Sequence, residues 1–401
     1  MSGLTIVNDP HRIYRADLPM LSVGVKGTSA SGQTNIQLRA IVDCEVTNNN
    51  FYMADTWQFT VRLSGQQAPY NSPLWWGEQT LIEAQILAAL QPFAPGQGNF
   101  LVSGPTDDVN ISLRNDTLTL SGRDYTSRFI DTRLSDTFLN VQNGKIFLNQ
   151  TASQIVGMLL ENYWPDMQSA TIAKTSTTVG TYAGVQNAIM FRNRSLWDVI
   201  TWLAQNESSV DANGNADPFV AYIIGKTFYF GPMSGSIGGG SGIFAINWAN
   251  KSNADTLDLM RNLTLANDIR VTVQGWGPMG RYQAVASGKH AAAPSTDFPK
   301  GYQHYVYTVN GLSMQQASNR ATALALLLSQ HELTARISMP ADFTLNPYGK
   351  VRLTNVDKSK KPTVWDTDYW VNAATWKFNL TDGAVMDLWL KNHPASQQVT
   401  L

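Results

Sequence analysis

The sequence predicts a β-rich α+β protein, in which a first and a last section made mostly of strands enclose a middle section of mixed helices and strands. Three observations predict this order. Apolar and polar residues alternate with a period of two in the first section, two capped helical segments follow, and strand patterns then return around one long helix. With 401 residues the chain is longer than one hydrophobic core usually supports, so two or three domains are expected.

The first section, residues 1–123, is predicted to be a run of strands. In Phe51–Gly65 the apolar residues, among them Trp57 and Phe59, alternate with polar ones, as in a strand with one buried face. Further short apolar runs are separated by Gly, Pro, Asp and Asn residues, which favour turns. The segment Leu81–Leu90 fits either a strand or a short helix, and its periodicity does not decide between them.

The middle section, residues 124–256, carries two helices with clear N-terminal signals. Thr151 and Gln154 stand three positions apart, the spacing of a capping box, in which each side chain bonds the backbone N–H of the other residue. Ser195 and Asp198 repeat this spacing before a second apolar-periodic segment. The sequence therefore predicts two helices that begin at these residues.

The last section, residues 257–401, is predicted to hold strands and one long helix. Ser313–Leu333 has a helical apolar stripe, and Gln316 completes a capping box with the serine that opens it. Four strand patterns follow this helix. The segment Val285–Tyr302 is rich in Ala, Gly, Ser and Pro, which predicts a long mobile loop.

The charge balance excludes a strongly basic nucleic-acid binder. The net charge is −1, and 15% of the residues are charged, against about 25% in an average soluble domain. The chain also contains 12 Trp, 14 Tyr and 15 Phe. Aromatic residues are enriched and charged residues depleted in the cores of protein interfaces, so much of the surface is expected to be covered by partners. A large β-rich protein with aromatic cores explains the same composition, and both interpretations stay open.

The chain has features of a protein made and kept in a cytoplasm. Its single cysteine, Cys44, excludes an internal disulfide and a thiol-based metal site. The first residues show no basic start followed by an apolar run, so no secretory signal is expected. No apolar stretch approaches the roughly 18 residues of a membrane span, so no membrane anchor is expected.

No motif predicts a metal or phosphate site. The histidines do not stand at zinc-ligand spacing and are scattered along the chain: His11, His290, His304, His331 and His393. We expect His331 to act as a cation at a helix end. Asp211–Asp217 resembles a calcium loop, but its glycine is fourth and no glutamate follows, so a turn is expected. The run Gly238–Gly240 lacks the ending of a phosphate-binding loop and is interpreted as a linker. No metal and no cofactor are expected.

The sequence contains no convincing catalytic motif. No nucleophile elbow occurs, and Asp107 and Asp108 are neighbours that would point apart on a strand. Gly122, Arg123 and Asp124 form the remaining candidate, at the end of a strand. One hypothesis is an ion pair in a catalytic cleft. The favoured hypothesis is a structural joint, in which Gly122 ends the strand and lets the chain turn, Asp124 caps a short helix, and Arg123 pairs locally or holds a carbonyl.

Four stretches together resemble the central hub proteins of contractile phage-tail baseplates, of the Mu-like and late-control type and related to spike-bearing hubs. Two of them are Ala54–Phe59 and Leu120–Thr126, which contains the Gly-Arg-Asp strand exit. The third is the pair of capped helices, and the fourth is the long helix followed by a Leu-x-Pro-x-Gly-x-Val-x-Leu strand at Leu345–Leu353. The resemblance covers nearly the whole chain in order, although each motif alone is weak.

The resemblance implies a fold and a role. It implies two tube-like antiparallel β-barrel domains, 1–123 and 257–401, with an inserted mixed α/β domain, 124–256. It implies a homotrimer that forms a pseudo-sixfold ring between the hexameric tail tube and the trimeric spike, with baseplate wedge proteins outside. Phage DNA would pass through the lumen without specific binding. The protein would then be a structural virion component, assembled in the host cytoplasm, and not an enzyme.

Two alternatives stay open at this stage. The many tryptophans, with Trp75 and Trp76 as the best candidate pair, are typical of a carbohydrate-binding or carbohydrate-cleaving β protein. If the two residues lie on a strand, one of them faces the core. A hub of a tailocin or of a secretion system would share every feature of a phage hub except a genome to inject.

Overall fold

The computed structural model describes residues 20–29, 32–49, 52–64, 66, 72–76, 81–89, 99–134, 150–176, 193–210, 216–233, 243–248, 254–262, 268–277, 280–289, 302–328, 332–357, 362–379 and 383–393. The chain divides into two compact units. Unit 1 comprises Met1–Ser127, Ser241–Met260 and Thr334–Pro394, and unit 2 comprises Arg128–Gly240, Arg261–Leu333 and Ala395–Leu401. The three continuous sections inferred from the sequence stay a prediction.

Strands dominate the described residues. They are β1 (Met20–Ser29), β2 (Gly32–Leu38), β3 (Ile41–Asn49), β4 (Thr56–Arg62), β5 (Leu81–Ala89), β6 (Asn99–Ser112), β7 (Thr117–Arg123), β8 (Ser169–Ile172), β9 (Ser208–Val210), β10 (Ala216–Ile224), β11 (Thr227–Pro232), β12 (Phe244–Asn247), β13 (Thr256–Asn262), β14 (Asp268–Gly277), β15 (Gly280–Lys289), β16 (Tyr302–Thr308), β17 (Glu332–Pro340), β18 (Lys350–Thr354), β19 (Asp368–Asn379) and β20 (Gly383–Lys391). The helices in the described part of the chain are α1 (Pro73–Trp76), α2 (Thr126–Asp131), α3 (Ala152–Tyr163), α4 (Leu196–Asn206) and α5 (Met314–Leu328).

Thirteen of the described strands form one large, mainly antiparallel sheet. Its path runs β13–β17–β20–β19–β3–β4–β7–β6–β5–β1–β2, and β18 joins it by pairing with β19 and with β12. The pairing of β19 with β3 sets Thr375 opposite Thr47, with their Oγ1 atoms 3.0 Å apart. The prediction of a β-rich fold is confirmed. First and last sections of the sequence contribute strands to the same sheet.

The alternation predicted near the start of the chain is confirmed in β4. Trp57 and Phe59 are buried, whereas Thr56 and Gln58 are exposed, so one strand face packs into the core of unit 1. The ambiguous segment Leu81–Leu90 contains strand β5, which pairs with β1 and β6. Its pairing register with β6 shifts after Ile86, and this irregularity explains why neither period is clear in the sequence.

Unit 2 contains a four-stranded sheet, β8–β11–β10–β9, together with helices α3 and α4. Both predicted capping boxes are confirmed. The side-chain oxygen of Gln154 accepts a hydrogen bond from the backbone N–H of Thr151 at 2.8 Å, and the hydroxyl of Ser195 accepts one from the backbone N–H of Asp198 at 2.9 Å. The aromatic ring of Phe129, within α2, lies 5.2 Å from that of Trp164 in the core of this unit.

A second, three-stranded sheet of unit 2 has the order β15–β14–β16, and α5 packs against β14 and β15. The capping box of α5 is confirmed, since the backbone N–H of Ser313 donates to Oε1 of Gln316 at 3.0 Å. This helix ends at Leu328, earlier than the predicted Leu333, because strand β17 begins at Glu332. His331, the expected helix-end cation, lies outside the described residues.

Both ends of the segment predicted to be a long loop, Val285–Tyr302, belong to strands. Val285–Lys289 belongs to β15, where Val285 pairs with Thr272, and Tyr302 begins β16. Small residues tolerate either a loop or a strand, so pairing with β14 decides the conformation. Residues 290–301, Gly238–Gly240 and most of the calcium-like segment lie outside the described residues. Among the described residues no helix is long and apolar enough to span a bilayer.

Candidate functional site

Three of the motifs that carry the family resemblance meet at one buried polar cluster in unit 1. Asp55 immediately precedes β4, Asp124 immediately follows β7, and Tyr348 lies in the turn before β18. Asn48 of β3 completes the group. We call these four residues the carboxyl cluster. Their convergence follows from the sheet, since β3, β4 and β7 are consecutive neighbours on its path.

Asp55 is held by donors from three directions. Its Oδ2 accepts hydrogen bonds from Nδ2 of Asn48 at 2.6 Å and from the hydroxyl of Tyr348 at 3.1 Å. Its Oδ1 accepts the backbone N–H of Asn49 at 2.7 Å. The side chain of Asn48 also donates to the carbonyl of Leu101 at 3.2 Å. Asp55 therefore connects β3, β4 and the turn before β18, with only 4% of its surface exposed.

Asp124 organises the chain where it leaves β7 and enters α2. Its Oδ1 accepts the backbone N–H of Thr126 at 3.2 Å, and its Oδ2 accepts the hydroxyl of the same residue at 2.8 Å. Its backbone N–H donates to the carbonyl oxygen of Asp55 at 2.9 Å. These contacts satisfy groups at the first residue of α2, as expected of a residue that caps a short helix.

Burial of two carboxyl groups side by side raises the pKa of both. Desolvation raises the pKa of Asp55 from its usual 3.8 to about 7, although the hydrogen bonds from Asn49, Asn48 and Tyr348 act in the opposite direction. Desolvation also raises the pKa of Asp124 well above its usual range, and the neighbouring charge of Asp55 raises it further. The cluster therefore favours holding protons near neutral pH.

Arg123 points away from the carboxyl cluster and pairs at the surface. Its Nε lies 2.8 Å from Oδ2 of Asp107, and its Nη2 lies 3.2 Å from Oδ1, so the two side chains form a bidentate salt bridge. Asp107 lies where the register between β6 and β7 shifts, between Thr106 and Asp108. About a third of each side chain is exposed, 32% for Arg123 and 38% for Asp107. The adjacent charges of Arg123 and Asp124 thus serve separate contacts.

Gly122 is needed for packing, which corrects the expectation that it lets the chain turn. It lies within β7, opposite Trp57 and Thr106. A Cβ atom there would lie 2.6 Å from Cζ2 of Trp57, and closer still to the carbonyl oxygen of Pro105. A Cβ atom on Gly104 would likewise overlap backbone atoms of Arg123 and Asp124. Two glycines therefore allow β6 to cross closely over the end of β7.

This arrangement can hold protons and position chain segments, but it does not expose a reactive group. Asp55 and Asp124 are almost completely buried, and each accepts hydrogen bonds from the protein itself. A general acid or base must reach within hydrogen-bond distance of its substrate. Within the described residues no group of three or more His, Cys, Asp or Glu side chains could bind a metal ion.

The other sequence candidates do not join the cluster. Asp107 is bound by Arg123, while Asp108 and His304 lie on exposed strand positions elsewhere. Trp75 and Trp76 do not lie on a strand, because they belong to the short helix α1. Proline is favoured at the first position of a helix, where Pro73 stands. Trp75 is only 6% exposed, so its ring packs into unit 1.

Sequence reasoning missed Asn48 and the partnership between Asp55 and Tyr348. One signal existed, because Asp55 and Tyr348 both lie inside motifs that carry the resemblance. Nothing in the sequence shows that those motifs touch, since the two residues are separated by 293 positions. Among the described strands, the pairing of β19 with β3 is what brings the two regions into one sheet.

A second buried carboxyl lies in unit 2, at the C-terminal end of α4. Oε1 of Glu207 accepts a hydrogen bond from Nε2 of Gln316 at 2.9 Å, and the same glutamine caps the start of α5 through its Oε1. Burial raises the pKa of Glu207 to about 7, and the bond from Gln316 acts in the opposite direction. Like the carboxyl cluster, this contact fastens elements together.

No known family model matches the sequence, and no curated protein matches it. Solved structures do match its fold. The chain is similar to the tail protein from Neisseria meningitidis MC58, with a TM-score of 0.55, 14% identity, and coverage of 92% of this chain and 96% of that chain. It is similar to the 43 kDa tail protein of prophage MuSo2 from Shewanella oneidensis, with a TM-score of 0.54, 12% identity, and coverage of 92% and 98%.

A third solved structure with a similar fold is a protein complex from Francisella. A chain of the Francisella PdpA–VgrG complex matches with a TM-score of 0.53 and 8% identity, and the match covers 96% of this chain but 60% of that chain. Identities of this size show a shared fold alone. The structural neighbours are thus tail proteins and a VgrG complex, in line with the fold expected from the resemblance.

Proposed function

We propose that this chain is a structural hub at the centre of a contractile-tail baseplate. In this role three copies form a pseudo-sixfold ring of tube-like barrels, which joins the hexameric tail tube to the trimeric spike. The ring leaves a channel through which phage DNA passes without specific binding, and wedge proteins contact its outside. The hub performs no catalysis and becomes part of the virion after assembly in the host cytoplasm.

The observation that carries this proposal is the extent of the structural likeness. The match to two phage-type tail proteins runs over 92% of this chain and over 96% and 98% of theirs. Because each match covers nearly the full length of both chains, the similarity extends over the whole architecture and is not limited to one shared sheet. The buried carboxyl cluster agrees with a structural role, because its groups hold strands together.

The ends of the large sheet support assembly with further copies. Within the described strands, β2 and β13 end the path of the sheet. Unpaired strand edges are templates for pairing with another chain, and natural proteins cover or block them. A closed ring of identical subunits is one way to cover an edge without open-ended growth.

Light scattering coupled to size-exclusion chromatography tests the proposal. A trimer has three times the 44.2 kDa mass of the chain. We expect this mass at high protein concentration, or on mixing with the tube and spike proteins encoded beside the gene. A protein that stays a monomer under both conditions would contradict the hub assignment.

In the carbohydrate-binding alternative Trp75 cannot stack on a sugar from the surface of this chain, because its ring is buried in unit 1. Glycan-array binding or clearing of a polysaccharide would revive it. A hub of a tailocin or secretion system is the second candidate function. The structural similarity to a chain of the PdpA–VgrG complex supports it. Capsid genes near the gene would favour a phage, and their absence beside tube and spike genes would favour the alternative.

A further inference from the structure

A hollow of about 370 Å³ opens on the face of the large sheet that points away from the core of unit 1. Trp389 of β20 forms one wall of it, and 39% of this residue is exposed. The pairing register sets Arg336 of β17 directly opposite Trp389 on one side and Ala373 of β19 opposite it on the other. Directly opposed residues in a sheet point to the same face, so the three side chains form one row across three strands. The short alanine side chain leaves space beside the tryptophan.

A second row of side chains closes the hollow, two residues away along each strand. Asp387 of β20 lies at its centre, between Ser338 of β17 and Thr375 of β19. Thr256 of β13 lines the hollow as well. Neighbouring strands lie ~4.8 Å apart and residues i and i+2 lie ~6.8 Å apart, so the two rows cover about 10 Å by 7 Å. The hollow therefore has the size for a small ring-shaped group.

Most polar groups of the hollow have no partner in the described part of the chain. The side chains of Arg336, Ser338 and Thr256 make no hydrogen bond or ion pair there. Oδ2 of Asp387 accepts a hydrogen bond from Nζ of Lys377 at 2.9 Å, which leaves its Oδ1 without a partner. The hollow thus presents donors from the guanidinium, an acceptor from the carboxylate, and two hydroxyls that can act as either.

The ring of Trp389 is not closed off by its neighbours. The guanidinium carbon of Arg336 lies 5.8 Å from the ring centre and Nζ of Lys391 lies 5.5 Å from it, near the outer limit of about 6 Å for a cation over a ring. Trp370 on the same face provides a contrast, since Nζ of Lys350 lies only 4.5 Å from its ring centre. Trp389 therefore offers an aromatic wall to a ligand.

Charges of both signs are balanced around the hollow, which disfavours a charged ligand. The hollow itself has one basic and one acidic side chain, Arg336 and Asp387. On the same face Lys377 lies directly opposite Glu45 of β3, and the exposed Asp258 follows the hollow-lining threonine of β13 by two residues. An anion would meet Asp387 and a cation would meet Arg336, and such like-charge contacts weaken binding. A neutral ligand with both donors and acceptors avoids them.

We propose that the hollow binds one pyranose ring of a neutral glycan. The C–H groups on one side of the sugar pack on Trp389. Its hydroxyls, each a donor and an acceptor, bond with the Arg336 guanidinium, the Asp387 carboxylate and the two free hydroxyl groups. Tryptophan supplies a large flat apolar surface. Small-molecule sites combine such a surface with a few convergent polar groups, in volumes of about 300–1,000 Å³.

The backbone is irregular on one side of the hollow. The register between β19 and β20 shifts between Val371 and Ala373. Bulges of this kind redirect side chains and occur more often next to functional sites. A segment of a partner protein fits less well than a sugar, because it would extend past the two rows onto a surface with charges of both signs. The inference goes beyond the proposed function, since it adds a ligand site to unit 1 and requires no particular assembly.

Saturation-transfer difference NMR with the full-length protein tests the proposal. The probes are neutral trisaccharides at millimolar concentration: maltotriose, mannotriose and N-acetylated chitotriose. We expect at least one of them to bind, and Trp389→Ala to weaken that binding at least about tenfold, because it removes the aromatic wall. Trp276→Ala is the matched control. It removes a tryptophan that is 53% exposed and lies outside the hollow, so the affinity should change less than about twofold.

Two further variants fill the hollow and leave the tryptophan in place. Ala373→Leu fills it from β19 and Ser338→Leu fills it from β17, and each should weaken binding at least about tenfold through a clash with the sugar. Circular dichroism and a thermal melt identify the variants that fold, and either filling variant suffices. Chitotriose without its acetyl groups is the charged probe. Its ammonium groups meet Arg336, so it should bind at least about fivefold more weakly than the neutral trisaccharide that binds best.

Several results would overturn the proposal. One is that no neutral trisaccharide binds at millimolar concentration, and another is equal weakening by Trp389→Ala and Trp276→Ala. Tighter binding of the deacetylated chitotriose would assign the hollow to cationic ligands. Loss of self-association in Trp389→Ala without glycan binding would assign it to a contact between copies of this chain. If the hub assignment alone fails, the mass in light scattering changes and the NMR result stays the same.

Discussion

The hydroxyl of Tyr348 donates a hydrogen bond to Oδ2 of Asp55 across 293 positions of sequence, at 3.1 Å. The bond ties the turn before β18 to the start of β4, in the middle of the large sheet. The bond also stabilises the ionised form of the Asp55 carboxyl. It lowers the pKa of Asp55, whereas desolvation raises it. One contact thereby joins the first and last sections of the chain.

Tyr348→Phe should destabilise unit 1 by about 1–2 kcal/mol, because it leaves a buried carboxyl with one donor fewer. Urea unfolding followed by tryptophan fluorescence measures this loss. Tyr307→Phe, in a half-exposed position of β16, is the matched control and should change stability little. Equal effects of the two variants would show that the bond to Asp55 contributes nothing specific.

The carboxyl cluster should make stability fall as pH rises. Both carboxyls have a higher pKa in the folded protein than the usual 3.8. The folded state therefore binds their protons more tightly. This contribution is complete below about pH 4, and the part that belongs to Asp55 is lost as pH rises through about 7. Asp124→Asn removes one titrating group and should make the decline between pH 4 and pH 7 shallower. Denaturant midpoints across this pH range measure it.

Glu207→Gln provides the comparison in unit 2, since the pKa of Glu207 is also raised to about 7. It should flatten the pH dependence of unit 2 and leave amide hydrogen exchange in β3, β4 and β7 unchanged. Asp124→Asn should do the reverse. A slope that neither variant alters would mean that other groups control the pH dependence.

Gly122→Ala should destabilise the protein by about 1–3 kcal/mol, because the added Cβ overlaps Trp57 and the backbone at Pro105. Gly157→Ala is the control. Gly157 lies in α3, and apart from its chain neighbours and the nearby backbone of the same helix no atom lies within 4 Å of the place that a Cβ would take. Alanine there should therefore stabilise by about 0.5–1 kcal/mol. Thermal melts of both variants measure the difference. A tolerated Gly122→Ala would show that the end of β7 can move away from β6.

Arg123→Ala should have a modest effect and remove no chemical activity. The pair with Asp107 is partly exposed, so a double-mutant cycle with Asp107→Ala should give a coupling energy of about 0.2–1 kcal/mol. The coupling should shrink as salt increases. A coupling that is much larger, or unaffected by salt, would indicate that the pair is buried in an assembly.

The parts of the fold that were predicted correctly depend on neighbours in sequence. Capping boxes at Thr151, Ser195 and Ser313 close within one helical turn, so four residues contain all the information. The same holds for the alternation in β4. The prediction is wrong where a distant strand decides, as in Val285–Lys289, which pairs with β14. It stays open between strand and helix in Leu81–Ala89, whose register shifts against β6.

The candidate site shows the same division. The sequence alone predicts Asp124 at the start of a short helix. Its composition also shows that the charged residues are too few and too mixed in sign for a basic binding groove. Which charges meet was settled by the folded chain. Arg123 turned to Asp107, Asp124 came to lie beside Asp55, and three cations lined up with two tryptophans. Such contacts depend on strand register between distant segments, and a shift of one residue moves every side chain to the opposite face.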